Sequence, residues 1–219
     1  MAALYRSIQT AARLSRRVLV GFSGGKDSAA LLDLCMRHFD HVEAFFMYLV
    51  PGLSFQEATL RHYEARLGVK IHRIPHFMLS EFLRYGTFRV EDFDVPIVTT
   101  REVYDYAREL SGCHWIACGE RIADSTVRRA FIKRTGSIDA KRGRLYPLAD
   151  WSKADVMAYI KQRRLFLGPE HSKLGFSLRG LDGKEMAAIK AAFPDDYERI
   201  RRWFPLVEGA VRRYERTGK

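Results

Sequence analysis

At 219 residues, with 47% hydrophobic and 29% charged side chains, the chain has a globular composition and is long enough for one substantial α/β core. Its formal charge of +11 favours polyanionic partners, and no apolar run approaches the ~20 residues needed to span a bilayer. Three cysteines, Cys35, Cys113 and Cys118, form no C-x-x-C pair, which excludes a disulfide framework and points to a reducing cytoplasm.

The start, MAALYRSIQTAARLSRR, lacks the continuous apolar core of a secretory signal, and its apolar spacing predicts an amphipathic helix over Ala2–Leu14. Val18–Phe22 reads as a buried strand. The turn Ser23-Gly24-Gly25-Lys26-Asp27-Ser28 follows, then a helix from Asp27 to about Phe39 with apolar residues at 30, 31, 34 and 35. Asp27 is expected to cap that helix, the alternative being that it helps hold a metal ion. Val42–Val50 is a second buried strand, turned by Pro51-Gly52. Ser54 and Glu57 have capping-box spacing ahead of a helix Phe55–Leu67, which Gly68 ends. Val69–Ile74 alternates as a third strand, Met78–Arg84 is a short helix, and Tyr85–Pro96 is a long loop. Thr100–Leu110 is helical, and His114–Cys118 is a fourth strand ending at Gly119. A basic helix Asp124–Arg134 leads to a glycine-punctuated basic loop, Thr135–Arg144. Ser152 and Asp155 then form a capping box for a helix Lys153–Arg163. Gly183–Phe193, Asp195–Trp203 and Pro205–Arg216 read as three short helices separated by Phe-Pro steps.

Strands alternating with helices predict a doubly wound parallel sheet, α/β and Rossmann-like, over residues 1–181, with a small helical extension over 182–219. Ligands of such sheets bind beyond the carboxyl ends of the strands, where the strand order reverses. The Ser23–Ser28 turn lies at that edge. Gly24 and Gly25 let backbone N–H groups approach an anion, Ser23 and Ser28 add hydroxyls, and Lys26 adds a charge. The exits of the second strand (Tyr48–Gly52) and the fourth (Gly119) are expected to converge on the same site.

SGGKDS after a buried strand resembles the pyrophosphate-binding loop of the N-type ATP pyrophosphatases, which include the sulfonucleotide (PAPS) reductases. Gly119, Arg121, Ser125 and Arg128 fit the G-x-R-x3-S-x2-R pattern that follows the fourth strand in the reductase group. Tyr146–Ile160 (YPLADWSKADVMAYI) and Pro169–Phe176 (PEHSKLGF) resemble later stretches of the same family, so that the likeness covers roughly residues 16–178. It implies the adenine nucleotide alpha hydrolase-like fold. It also implies a nucleotide site of Ser23, Gly24, Gly25, Lys26, Asp27, Ser28, Tyr48, Gly119, Arg121, Ser125 and Arg128, with Lys26, Arg121 and Arg128 acting on the phosphates. Tyr48 stands where the family reads adenine through main-chain atoms.

The departure from the family is at its thiol. A sulfonucleotide reductase attacks sulfur with a C-terminal cysteine, and this chain has none after Cys118. The cysteine ligands of the iron–sulfur versions are absent as well. The expected cofactors are therefore ATP, or a PAPS-like adenine nucleotide, with Mg²⁺, no protein-bound metal and no iron–sulfur cluster. The expected chemistry is pyrophosphate-releasing adenylyl transfer in sulfur transfer or nucleic-acid modification. A reductase using Cys118 as a non-standard thiol, and a non-catalytic nucleotide-binding subunit, are the alternatives. The expected partners are an adenine nucleotide, a nucleic-acid or protein acceptor and a second copy of the chain, without a membrane. Trp203, Phe204, Leu206 and Val207 are candidate contacts for docking.

Overall fold

The computed structural model describes residues 5–175, 177, 178 and 180–218. Ala2–Leu4 of the predicted first helix, Phe176 of the PEHSKLGF run and Lys219 lie outside the described residues. In chain order the elements are α1 (Arg6–Leu14), β1 (Arg17–Gly21), α2 (Lys26–His38), β2 (His41–Tyr48), α3 (Ser54–Leu67), β3 (Ile71–Pro75), α4 (Phe77–Arg84), α5 (Thr100–Ser111), β4 (Ile116–Ala117), α6 (Thr126–Thr135), β5 (Ile138–Asp139), β6 (Arg144–Leu145), α7 (Lys153–Arg163), α8 (Pro169–Lys173), α9 (Gly183–Ala192), α10 (Pro194–Trp203) and α11 (Val207–Thr217).

The strands form one six-stranded sheet in the order β3-β2-β1-β4-β6-β5. β1 runs parallel to β2 and β4, and β4 runs parallel to β6. The order reverses between β1 and β4, as expected for a doubly wound sheet. The continuous apolar run Val18-Leu19-Val20 is fully buried, as a central parallel strand covered on both faces must be.

The Thr135–Arg144 loop is corrected. After α6 ends at Thr135 it folds into the antiparallel pair β5 and β6, which extends the sheet past β4. Asp139 closes the turn, accepting from the Arg142 backbone N–H at 3.1 Å and the Arg142 guanidinium at 3.0 Å. Strands of two residues leave no alternation to read in a sequence.

By contact density the chain divides into two compact units. The first comprises Met1–Phe46, Leu60–His72 and Tyr106–Leu167. Within it, Val156, Tyr159 and Ile160 of α7 are buried, and the Ser152–Asp155 capping box forms as expected. Asp33 of α2, 4% exposed, accepts from the Tyr159 hydroxyl at 2.7 Å and from Arg163 Nε at 3.0 Å, so a buried charge is paired across α2 and α7. The YPLADWSKADVMAYI run therefore serves packing and capping.

The second unit comprises Met47–Thr59, Arg73–Asp105 and Gly168–Lys219. Its core gathers Leu53, Phe55, Met186, Ile189, Tyr197 and Phe204, among others. Gly183 opens α9 against α11. A Cβ there would lie 2.4 Å from the Ala210 carbonyl oxygen, so glycine is what permits the approach. Glu208 of α11 accepts from the Tyr197 hydroxyl of α10 at 2.6 Å and from Lys190 Nζ of α9 at 3.1 Å. These bonds hold its carboxyl down at about 2.

Two sequence expectations are corrected in this unit. Phe204 and Val207 are buried in its own core and Trp203 is packed against it, which leaves Leu206 as the exposed member of the docking candidates. The Ser54–Glu57 capping box does not form either. Ser54 donates its N–H at 2.7 Å and its hydroxyl at 2.6 Å to Asp196, while Glu57 pairs with Arg73 at 3.1 Å. No helix among the described residues is long and apolar enough to cross a membrane.

Candidate functional site

The site is built at the carboxyl ends of β1 and β4, within the first unit. Gly24 takes a positive φ of 76°, a conformation that a side chain would strain, and Gly25 is the N-cap of α2. No side chain among the described residues caps that terminus, so the first-turn N–H groups lack the acceptor that usually covers them. Ser28 ties the loop together. Its hydroxyl lies 3.1 Å from that of Ser23, accepts from the Ser23 N–H at 3.2 Å and donates to the Gly25 carbonyl at 3.0 Å. The loop is thus a pre-formed turn with a helix N-terminus behind it, suited to an anion.

Asp27 is not the cap. It sits in the first turn of α2, where its carboxylate pairs with the ammonium of Lys26 and with Arg121 Nε at 3.1 Å. Arg121 arrives from the β4 exit, and its side chain is only 6% exposed. Its Nη2 donates to Asp124 Oδ1 at 2.6 Å, while its backbone N–H donates to Asp124 Oδ2 at 3.0 Å. The contact to Asp27 is close but not aligned as a hydrogen bond, and Arg121 Nη1 is buried without a partner among the described residues. A buried guanidinium with an unused donor is costly unless something else satisfies it.

Asp124 was not singled out by sequence reasoning, yet it organises the β4 exit. It also accepts from Arg128 Nη1 at 3.2 Å. Its spacing, three residues after Arg121 and four before Arg128, is the signal that could have found it. Ser125 caps α6, its hydroxyl accepting from the Arg128 N–H at 3.2 Å. Gly119 packs on the start of α2. A Cβ there would lie 3.8 Å from the Asp27 backbone and from the Ser28 nitrogen, an ordinary contact. The structure thus brings Lys26, Asp27, Ser28, Gly119 and Arg121 together, with Arg128 linked through Asp124. Tyr48, at the end of β2, belongs to the second unit, where it packs against that unit's core.

Cys118 is a poor nucleophile here. It is 5% exposed, and burial, reinforced by Glu120, pushes its thiol well above the ordinary range. Cys35 is shifted the same way by burial.

Glu170 of α8, 3% exposed, is the buried acid of the PEHSKLGF run. Burial raises its carboxyl from 4.5 to about 7, against the lowering effect of a hydrogen bond from the Leu178 backbone N–H. The folded protein then binds a proton that the unfolded chain has released, so stability falls as pH rises from 4.5 to 7 and levels off above. Glu170→Gln is expected to flatten that decline, which is worth about 3 kcal/mol. Urea unfolding of both proteins at pH 5 and pH 7.5 checks it.

Residues 17–173 match the family model described as the phosphoadenosine phosphosulfate reductase domain. The chain belongs to this family. Beyond that family model, the chain is similar to proteins of several activities. A 7-cyano-7-deazaguanine synthase from Pyrococcus abyssi (strain GE5 / Orsay) is 31% identical over 108 residues, 46% of this chain and 44% of that relative. The chain therefore matches less than half the length of that protein. Among solved structures, the PAPS reductase from Candida auris in its phosphate complex is similar with a TM-score of 0.54 at 16% identity, over 81% of this chain and 89% of that one. The U34-tRNA thiolase NcsA from Methanococcus maripaludis, with its 4Fe–4S cluster, is similar with a TM-score of 0.50 at 14% identity, over 94% of this chain and 80% of that one.

The last comparison corrects the cofactor expectation, which had ATP or a PAPS-like nucleotide with Mg²⁺ and no iron–sulfur cluster. NcsA is similar in fold and carries a 4Fe–4S cluster, so a cluster is compatible with this fold. The described residues do not themselves fit one. They contain no group of three or more His, Cys, Asp or Glu that could hold a metal ion, and Cys35, Cys113 and Cys118 are free and buried.

Proposed function

We propose that the chain binds ATP or a related adenine nucleotide by its phosphates and releases pyrophosphate in transferring the adenylyl group, in the service of sulfur transfer or nucleic-acid modification. The observation that carries this reading is Arg121. Its guanidinium is buried beside the glycine loop at the reversal of strand order, and Nη1 has no partner among the described residues. A phosphate oxygen is the acceptor that such a donor suits.

In this reading the loop N–H groups, the α2 N-terminus and Lys26 hold the β- and γ-phosphates. Arg121 and Arg128 gather charge on the α-phosphate. An acceptor attacks the α-phosphorus, the bond to the bridging oxygen breaks, and pyrophosphate leaves while the acceptor gives up its proton to solvent. Catalysis is by positioning and by charges fixed before the reaction. Asp27 and Asp124 keep Arg121 in place when the phosphates are absent. The buried Cys118, with its thiol shifted upward, weighs against a reductase with a non-standard thiol.

The test is to incubate the protein with ATP, or with PAPS and a thiol donor, with and without added divalent metal. Pyrophosphate or AMP supports the reading, and sulfite overturns it. Lys26→Ala is expected to weaken nucleotide binding by about 10- to 100-fold, the worth of one charge-assisted contact, with thermal stability unchanged within about 1 kcal/mol. Titration calorimetry beside a thermal melt checks both halves.

A further inference from the structure

Helix α6 offers a surface that the rest of the molecule does not use. Every residue from Ala123 to Ala130 is exposed, and Ile132 is the one buried side chain of the helix. The helix is capped by Ser125 but draws little stability from the core. From Arg128 to Arg144 the sequence carries seven Lys and Arg against one acid, Asp139. Asp139 is already paired with Arg142, and Arg128 is held by Asp124. Arg129, Lys133, Arg134 and Lys141 are exposed and have no acidic partner among the described residues. Arg129 and Lys133 lie one turn apart, about 6 Å along the helix. Both line a cleft of about 400 Å³ that is bordered by Ile122, Ala123, the buried Trp151 and one carboxylate, Asp150.

We propose that α6, the β5–β6 hairpin and this cleft form a nucleic-acid-binding surface that engages the phosphates of a strand. Four unpartnered cations spread over a helix and a hairpin are more than one nucleotide can use, and they suit a repeating array of negative charge. A protein partner would need an apolar anchor at the centre of its interface. The one large apolar side chain exposed on α6 is Val127, and the ring of Phe131 has the Arg142 guanidinium over it at 5.1 Å. Trp151 is 2% exposed, so the cleft presents no aromatic platform for stacking bases. Recognition is therefore of backbone rather than sequence. Ile122 and Ala123 follow directly on Arg121, so the strand would lie against the loop that carries the proposed α-phosphate ligand. The surface rests on the adenylyl-transfer reading only in making that strand the acceptor.

The test is fluorescence anisotropy with a labelled single-stranded RNA of roughly 20 nucleotides, titrated over a range of salt without any nucleotide. The wild-type protein is expected to bind with a steep salt dependence. The double variant R129Q/K133Q is expected to bind about tenfold or more weakly, with the slope of log affinity against log salt reduced by about 1.4. R213Q/R216Q removes the same formal charge from exposed positions on α11 and is expected to lose less than about threefold. Absence of wild-type binding, equal weakening of both variants, or no weakening of the first overturns the proposal. Because ATP is left out, a failed nucleotide assay and a failed RNA titration are separate results.

Discussion

Arg121→Ala is expected to lower stability by about 2–4 kcal/mol and to weaken nucleotide binding by about 10- to 100-fold. The side chain bridges two carboxylates from separate segments, Asp27 at the start of α2 and Asp124 after β4. Alanine leaves both without their shared cation. Their side chains are 27% and 18% exposed, so water relieves part of the cost, which keeps the estimate below that of a fully buried pair. Arg121→Lys separates structure from binding. It keeps the charge, but one ammonium cannot hold both carboxylates and also present a fork to phosphate. Most of the stability is therefore expected to return in the lysine variant, and little of the affinity. Urea unfolding and calorimetry with ATP check the two effects. Full affinity in the lysine variant would count against a forked phosphate contact.

Asp196→Ala is expected to cost about 2–4 kcal/mol, a fall in melting temperature of about 5–15 °C. Asp196 is 2% exposed and comes from α10, yet it caps the start of α3. It accepts from the Ser54 N–H, the Ser54 hydroxyl and, at 3.4 Å, the Phe55 N–H. Removing it uncaps α3 and breaks a tie across 142 residues. Glu57→Ala gives the contrast. Had the local capping box formed, this change would free the helix terminus. With Glu57 engaged by Arg73 at a partly exposed site, it is expected to cost less than about 1 kcal/mol. Differential scanning calorimetry of the two variants checks the ordering, and an equal loss from both would restore the local cap.

Much of the first unit was legible. The apolar run Val18–Phe22 and the turn SGGKDS identify a central strand followed by an anion loop, because burial on both faces demands unbroken apolar residues and a tight turn demands glycine. Ser152, Asp155 and Gly68 announced helix ends through local bonds that the structure contains. The Asp27 and Ser54 caps were misread for one reason. A carboxylate or hydroxyl at capping spacing is equally able to bond elsewhere, and here Arg121 and Asp196 took those groups.

From the sequence alone came the alternation of strands and helices, the glycine loop, the Arg121–Ser125–Arg128 spacing and the net positive charge. Each is encoded by neighbours within a few residues of one another. Tertiary structure alone decided that β4 lies beside β1, that Asp27 faces Arg121 rather than capping α2, and that the basic loop after α6 becomes two more strands. It also decided that Phe204 and Val207 are core rather than surface. These outcomes turn on which of several polar or apolar partners comes within reach once the chain is folded, and chain-distant partners leave no period or spacing in the sequence.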